Sequence, residues 1–171
     1  MATYVNNLRL KEIATGAESG TWGTSTNTNL ELITDAMGYG AKVMAADSNE
    51  TFTMADGSTD SLRAMFIKVT SGVTLTSTRT ITFAPNTLNK LWWVENATSG
   101  GQSIVVKQGS GAEVTIPTGK TKILYTDGGN ATAAVTDALT NVEVGDGTVT
   151  SVGSAGTVNG ITLTGTVTTA G

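Results

Sequence analysis

The chain contains no cysteine and no histidine. Without cysteine there can be no disulfide, thiolate metal site or cysteine nucleophile. Without histidine the chain lacks the side chain most often used as a general base and as a metal ligand. Together the two absences predict a protein that is not an enzyme and holds neither cofactor nor metal. Charge is scarce as well: charged residues make up 14% of the chain, and the net charge is −4. No cluster of Lys and Arg gives the footprint of a nucleic-acid binder, and no block of like charge marks an interaction tail. No apolar run approaches the roughly 20 residues a bilayer requires, which predicts no membrane insertion. The opening MATYVNNLRLKEI lacks the charged-then-apolar order of a secretory signal, which predicts synthesis in a cytoplasm without export by that route.

What fills the chain instead is threonine, serine and glycine, 66 of its 171 residues, with only 5% aromatic. Threonine's branched Cβ restricts χ1 and suits a pleated surface, and glycine supplies turns and close backbone approaches. The length suits one domain with appendages. The expected fold is mainly β: a small sandwich or barrel-like domain built of many short strands.

Four regions follow one another. Residues 1–44 carry GTWGTSTNTNLELITDAMGYG, in which Thr28 and Glu31 have capping-box spacing. Leu30, Ile33 and Met37 then recur at helical intervals before Gly38 and Gly40, which predicts a helix of about ten residues. Trp22 would pack on this helix or belong to a docking surface. Residues 45–128 read as a succession of strands. In GVTLTSTRTITFAP, Val73, Leu75, Ile81 and Phe83 share a parity opposite the threonines, and RAMFIKVT places Met65, Ile67 and Val69 on one face. KLWWVENAT, QSIVVKQ, EVTIP and TKILYT complete the series. Turn signals at ~8–12-residue intervals favour a sandwich or barrel, and the lack of intervening helices disfavours a parallel α/β fold. Residues 129–146 form a connector, with a weak helix around 133–141 suggested by Val135, Leu139 and Val142.

Several motifs invite a site and fail on spacing. PTGKTK would be a phosphate loop, but the glycine required five residues earlier is Val114. GSGAEV at Gly109 is half a dinucleotide fingerprint and is explained by a hairpin turn. The Asp-Gly pairs at Asp56, Asp127 and Asp146 are turn signals. Sequons at Asn49, Asn96 and Asn130 are about as many as chance gives in so Ser/Thr-rich a chain. Trp92 and Trp93, adjacent on a strand, point to opposite faces; they are candidates for core or inter-subunit packing, and one of them for sugar stacking.

Residues 147–171 contain no charge, and Gly-Thr-Val recurs at Gly147, Gly156 and Gly165. Read as strand, Ile161, Leu163 and Val167 share one side opposite Thr162, Thr164, Thr166 and Thr168. A lone strand of this kind has no gatekeeper charge and would aggregate. Three arrangements satisfy it: intertwining with sibling chains through Val158, Ile161, Leu163 and Val167, a flexible linker, or folding back on its own domain.

Three stretches also carry a family resemblance: NLRLKEIATGAESGTWGTSTNTNLELI, RAMFIKVTSGVTLTSTRTITFAPNT, and ENATSGGQSIVVKQGSGAEVTIPTGKTKILYTDG. With them the chain resembles the N-terminal part of tail-fibre and related virion structural proteins of tailed bacteriophages. The resemblance implies a homotrimer in the virion that attaches to a tail adaptor or other tail protein through its N-terminal part. Leu8, Leu10, Trp22, Leu30 and Ile33 are then the candidate docking residues, and 147–171 is the β-rich lead-in to a shaft. Because the repeat has not clearly finished at Gly171, either the chain ends where its partners begin or, as expected here, the sequence is the front part of a longer fibre. Host surface glycans would be met by distal regions. The alternatives are a head decoration protein and a carbohydrate-binding module using Trp92 or Trp93.

Overall fold

The computed structural model describes residues 2–142 and the backbone of two further strands, 152–158 and 161–167. The chain divides into two units, 1–140 and 141–171. In the first, helix α1 (Trp22–Ala36) precedes β1 (Tyr39–Met44), β2 (Glu50–Thr53), β3 (Phe66–Ser71), β4 (Arg79–Ala84), β5 (Leu91–Asn96), β6 (Ile104–Lys107), β7 (Val114–Ile116), β8 (Thr121–Thr126) and β9 (Val135–Asp137). The fold is mainly sheet with one α-helix among the described residues.

The strands form two sheets, ordered β1-β3-β5-β8-β9 and β2-β4-β6-β7, with β1 to β6 falling alternately into one and the other. The first three strands of each sheet run parallel; β7, β8 and β9 join antiparallel. Parallel neighbours need a long crossover, usually a helix. Here the crossover is a strand of the opposite sheet, so the chain winds between the two layers. Residues 40, 67 and 94 lie side by side in register, 27 residues apart at each step. The two sheets remain separate and each mixes parallel and antiparallel pairs, so the closed-barrel expectation does not describe them.

Alternation along each strand decides what the layers enclose. Ile67, Val69, Trp92, Val94 and Leu124 of one sheet meet Phe52, Ile81, Phe83, Ile104, Val106 and Ile116 of the other in a single buried cluster. Trp92 stands edge-on to Phe83 with ring centroids 5.1 Å apart, and its indole N–H donates to the Leu62 carbonyl at 2.9 Å. The GSGA segment is the β6–β7 hairpin turn. A Cβ on Gly109 there would come within 2.7 Å of the Ala131 carbonyl, so only glycine lets this turn lie against the chain that leads into β9.

Four expectations are corrected. The helix begins at Trp22 rather than near Thr28, leaving Thr28 and Glu31 in mid-helix; Thr21 is its N-cap and makes no side-chain cap bond. Tertiary support replaces the capping box. The Lys11 N–H donates to Asn29 Oδ1 at 3.0 Å, Asn29 Nδ2 returns a bond to the Lys11 carbonyl at 2.8 Å, and Lys11 pairs with Glu18. Tyr39–Met44 is a strand of the five-stranded sheet and not part of a separate docking segment. Residues 133–141 are not helical: Val135 is buried and pairs with Thr126, so a core position and a sheet edge outweigh a weak helical spacing. Lastly, Val73 is exposed in a loop ahead of β4, whereas Leu75 is buried from that same loop.

Candidate docking surface

The N-terminal segment is fixed to the sheets by a buried cation. Arg63, on the 3-10 turn Ser61–Arg63, is fully buried and donates to the carbonyls of Leu8 (2.8 Å), Ser58 (2.7 Å) and Ala55 (2.7 Å). Burial lowers its pKa, an effect opposed by the nearby Asp60, Asp35 and Asp56 carboxylates. A planar fork of donors suits this three-way task as an ammonium would not. Close by, Lys90 Nζ donates to the Ala64 carbonyl at 3.2 Å and lies 4.8 Å from the Trp92 ring centre. Burial, with the charge of Arg63 second, pushes its pKa down to about 8. Further ties are Arg9 to Asp56 at 2.6 Å, the Gly57 N–H to the Arg9 carbonyl at 2.8 Å, and the Asn89 N–H to Asn7 Oδ1 at 2.9 Å. Leu8 and Leu10 are half-buried in this segment.

On α1 the situation is reversed. Leu32 and Ala36 are its buried residues, while Trp22 is 61% exposed, Leu30 57%, Ile33 42% and the C-cap Met37 70%. At about 100° per residue these four fall within an arc of about 80°. They form one apolar stripe turned away from the core. The intervals between Leu30, Ile33 and Met37 that reveal the helix in the sequence therefore mark its open side. Of the proposed docking residues, the structure puts Leu30 and Ile33 beside Met37 at the end of the helix and Trp22 on the same side at its start, about 12 Å before Leu30 along the axis.

A second apolar row crosses the outer face of the five-stranded sheet. Tyr39, Phe66, Trp93 and Ile123 are register partners across β1, β3, β5 and β8, and the first two rings stack at 5.7 Å. Beside them, Lys68 and Glu95 form an ion pair at 3.4 Å. The adjacent tryptophans are split as their alternation requires. Trp93 reaches the surface, and Trp92, wholly enclosed by its own chain, cannot pack against another subunit. Sequence reasoning missed Tyr39 and Phe66, which stand 27 residues apart and become neighbours only through the parallel pairing.

No family model, curated protein or solved structure matches the chain.

Other motifs resolve into structure. Gly119 of PTGKTK takes φ +68° in the turn before β8. The Asn96 sequon is spent inside: its amide donates to the Gln102 and Ile116 carbonyls, each at 3.0 Å, and accepts the Thr98 hydroxyl at 2.7 Å. Among the described residues no group of three or more acidic side chains gathers as a metal site would require, and no helix is long and apolar enough to cross a membrane.

In the second unit, β10 (Val152–Val158) and β11 (Ile161–Val167) pair antiparallel, with Val158 opposite Ile161 and Gly156 opposite Leu163. The segment thus satisfies one edge of each strand by pairing with itself, an arrangement that was not among the three expected. The two residues between these strands are Asn159 and Gly160, the dipeptide that most favours a two-residue hairpin. The side chains of Val158, Ile161, Leu163 and Val167, the Asp146-Gly147 pair, and the end of the chain lie outside the described residues.

Proposed function

We propose that the chain is a structural component of a phage virion: the anchoring portion of a tail fibre, which joins the fibre to the tail and supports adsorption to the host. The resemblance of the N-terminal stretches suggests the class, and one observation carries the mechanism. A helix clamped to a rigid body by Lys11, Asn29 and Glu18 turns Trp22, Leu30, Ile33 and Met37 outward. Exposed apolar side chains of this kind on one side of a helix mark a surface for another macromolecule. In this reading the partner is a tail adaptor protein. The working form is a homotrimer, with Trp93 facing a sibling and the paired strands 152–158 and 161–167 leading into the shaft. Three linked chains then turn weak host contacts, made by distal regions with surface glycans, into strong attachment.

The experiment is assembly with a helix variant. Leu30→Gln with Ile33→Gln keeps the helix but removes the centre of the stripe. The variant should fold, and virions made with it should lack the fibre. Wild-type incorporation of the variant, or a label on the native protein that decorates the capsid instead of the tail, overturns the reading.

A further inference from the structure

Between the C-terminal end of α1 and the loop Thr59–Ala64 lies an open cavity of about 350 Å³, within the size range of small-ligand sites. Tyr39 forms one wall. One face of its ring is stacked on Phe66, and the residue is 62% exposed. Asp35, Thr59 and Ser61 line the rest with Ala64. The loop is seated closely on β1: a Cβ on Gly40 would come within 3.0 Å of Ser61 Cα. The cavity is therefore formed before any ligand arrives.

The polar groups around it divide into those already committed and those left over. Asp60 accepts from Lys42 Nζ at 3.0 Å and from the Leu62 N–H at 2.7 Å, and the Thr34 hydroxyl donates to the Leu30 carbonyl at 3.1 Å. The Asp60 and Thr34 side chains are thus occupied, and both nearby cations are used as well, Lys42 by Asp60 and Arg63 by the Leu8, Ser58 and Ala55 carbonyls. The Asp35 carboxylate and the Tyr39, Thr59 and Ser61 hydroxyls have no hydrogen-bond partner among the described residues. What remains for a ligand is an aromatic surface, one group that can only accept, and three groups that both donate and accept.

That set selects a ligand class. A phosphate or carboxylate would meet the Asp35 charge with no free cation to offset it. A wholly apolar ligand would leave the four polar groups without partners, a loss for each that was hydrated before. A pyranose ring meets both demands: its C–H face lies against an aromatic ring, and its hydroxyls donate to a carboxylate while exchanging bonds with protein hydroxyls. We infer that this cavity is a binding site for the uncharged sugar ring of a saccharide, with Tyr39 as the stacking surface and Asp35 as the principal acceptor. The inference is independent of the virion reading, since it concerns what this body binds rather than where it is mounted.

The test is a titration of the full chain, followed by amide NMR, with methyl glycosides of glucose, galactose, mannose and N-acetylglucosamine, and with glucuronate as the anionic control. At least one neutral glycoside should bind saturably in the millimolar range usual for a small, open, preformed site. The shifts should be confined to residues 34–40 and 58–64, and glucuronate should bind more weakly. Tyr39→Ala should weaken binding about tenfold or more and Tyr39→Phe by much less, while Asp35→Asn should cost several-fold. The spectrum away from the cavity reports that each variant is folded; should Tyr39→Ala unfold, Asp35→Asn and Ser61→Ala carry the test. The inference is overturned if no neutral glycoside saturates, if the shifts map elsewhere, if the folded variants bind as the native chain does, or if glucuronate binds best.

Discussion

In β5, Trp92 and Val94 enter the core while Leu91 and Trp93 stay outside, and strands of both sheets divide their residues in this way. In α1 the proportions are inverted: Leu32 and Ala36 are covered, while Trp22, Leu30, Ile33 and Met37 are open. The strands find a partner for their apolar row in the facing sheet of the same chain. Most of the helix's apolar surface has no such partner among the described residues, and the helix is kept in place by polar ties instead. The buried core and the exposed apolar side chains of the helix thus belong to different elements, and substitutions can separate them.

The largest effect on stability belongs to the inner row. Trp92→Ala removes a fully buried ring together with its bond to Leu62, and should cost about 3–5 kcal/mol in chemical denaturation. A loss below about 1 kcal/mol would mean that the two layers are not packed as described. Next comes Arg63→Met, which fills similar space but leaves the Leu8, Ser58 and Ala55 carbonyls without their donor. At roughly 1–3 kcal/mol for an unsatisfied buried group, the variant should be clearly destabilised, with faster hydrogen exchange in residues 4–12 ahead of the sheets. Protection lost equally everywhere would show that the clamp is not local.

Smaller again is the effect of pH through Lys90. Its folded pKa is about 8, below the roughly 10.4 of an unfolded lysine. Below pH 8 both states carry the proton and the effect is constant. Between about pH 8 and 10.4 the unfolded chain binds a proton that the folded chain has released, so stability rises with pH. Lys90→Met should remove this rise, seen as the difference between the two denaturation midpoints across that window; parallel curves would contradict the burial assigned to the ammonium. Smallest of all is Leu30→Gln with Ile33→Gln. It should change the stability of the isolated chain by no more than about 0.5 kcal/mol per site, although it is expected to abolish incorporation into virions. A large loss of stability would place the stripe in the core after all.

Much of the local structure was legible. Ile81 and Phe83, alternating with threonines, lie on a strand with those two residues buried, and the hairpin at GSGA is where its glycines put it. The helix could be read from Leu30, Ile33 and Met37, but the direction in which that stripe faces could not, because periodicity identifies a face without naming its partner. The start of the helix was misplaced because Lys11 and Asn29, 18 residues apart, supply the support that a local capping box was expected to give. Parallel pairing was illegible for a related reason: residues 40, 67 and 94 share no sequence pattern, and the crossover that aligns them is another strand. The cavity beside Tyr39 joins a helix end, a strand and a loop, which no short motif encodes. For the hairpin of the last unit, the Asn159-Gly160 pair was the available signal.

The winding of the chain bears on size. Through β6 each circuit adds one strand to either layer, and its strands pair only with those of the neighbouring circuits, an organisation shared with repeat proteins. A second copy of residues 66–92 inserted in tandem would lengthen the body by about one strand spacing, near 4.8 Å, while its width stayed the same. The length of a body wound like this changes in fixed increments.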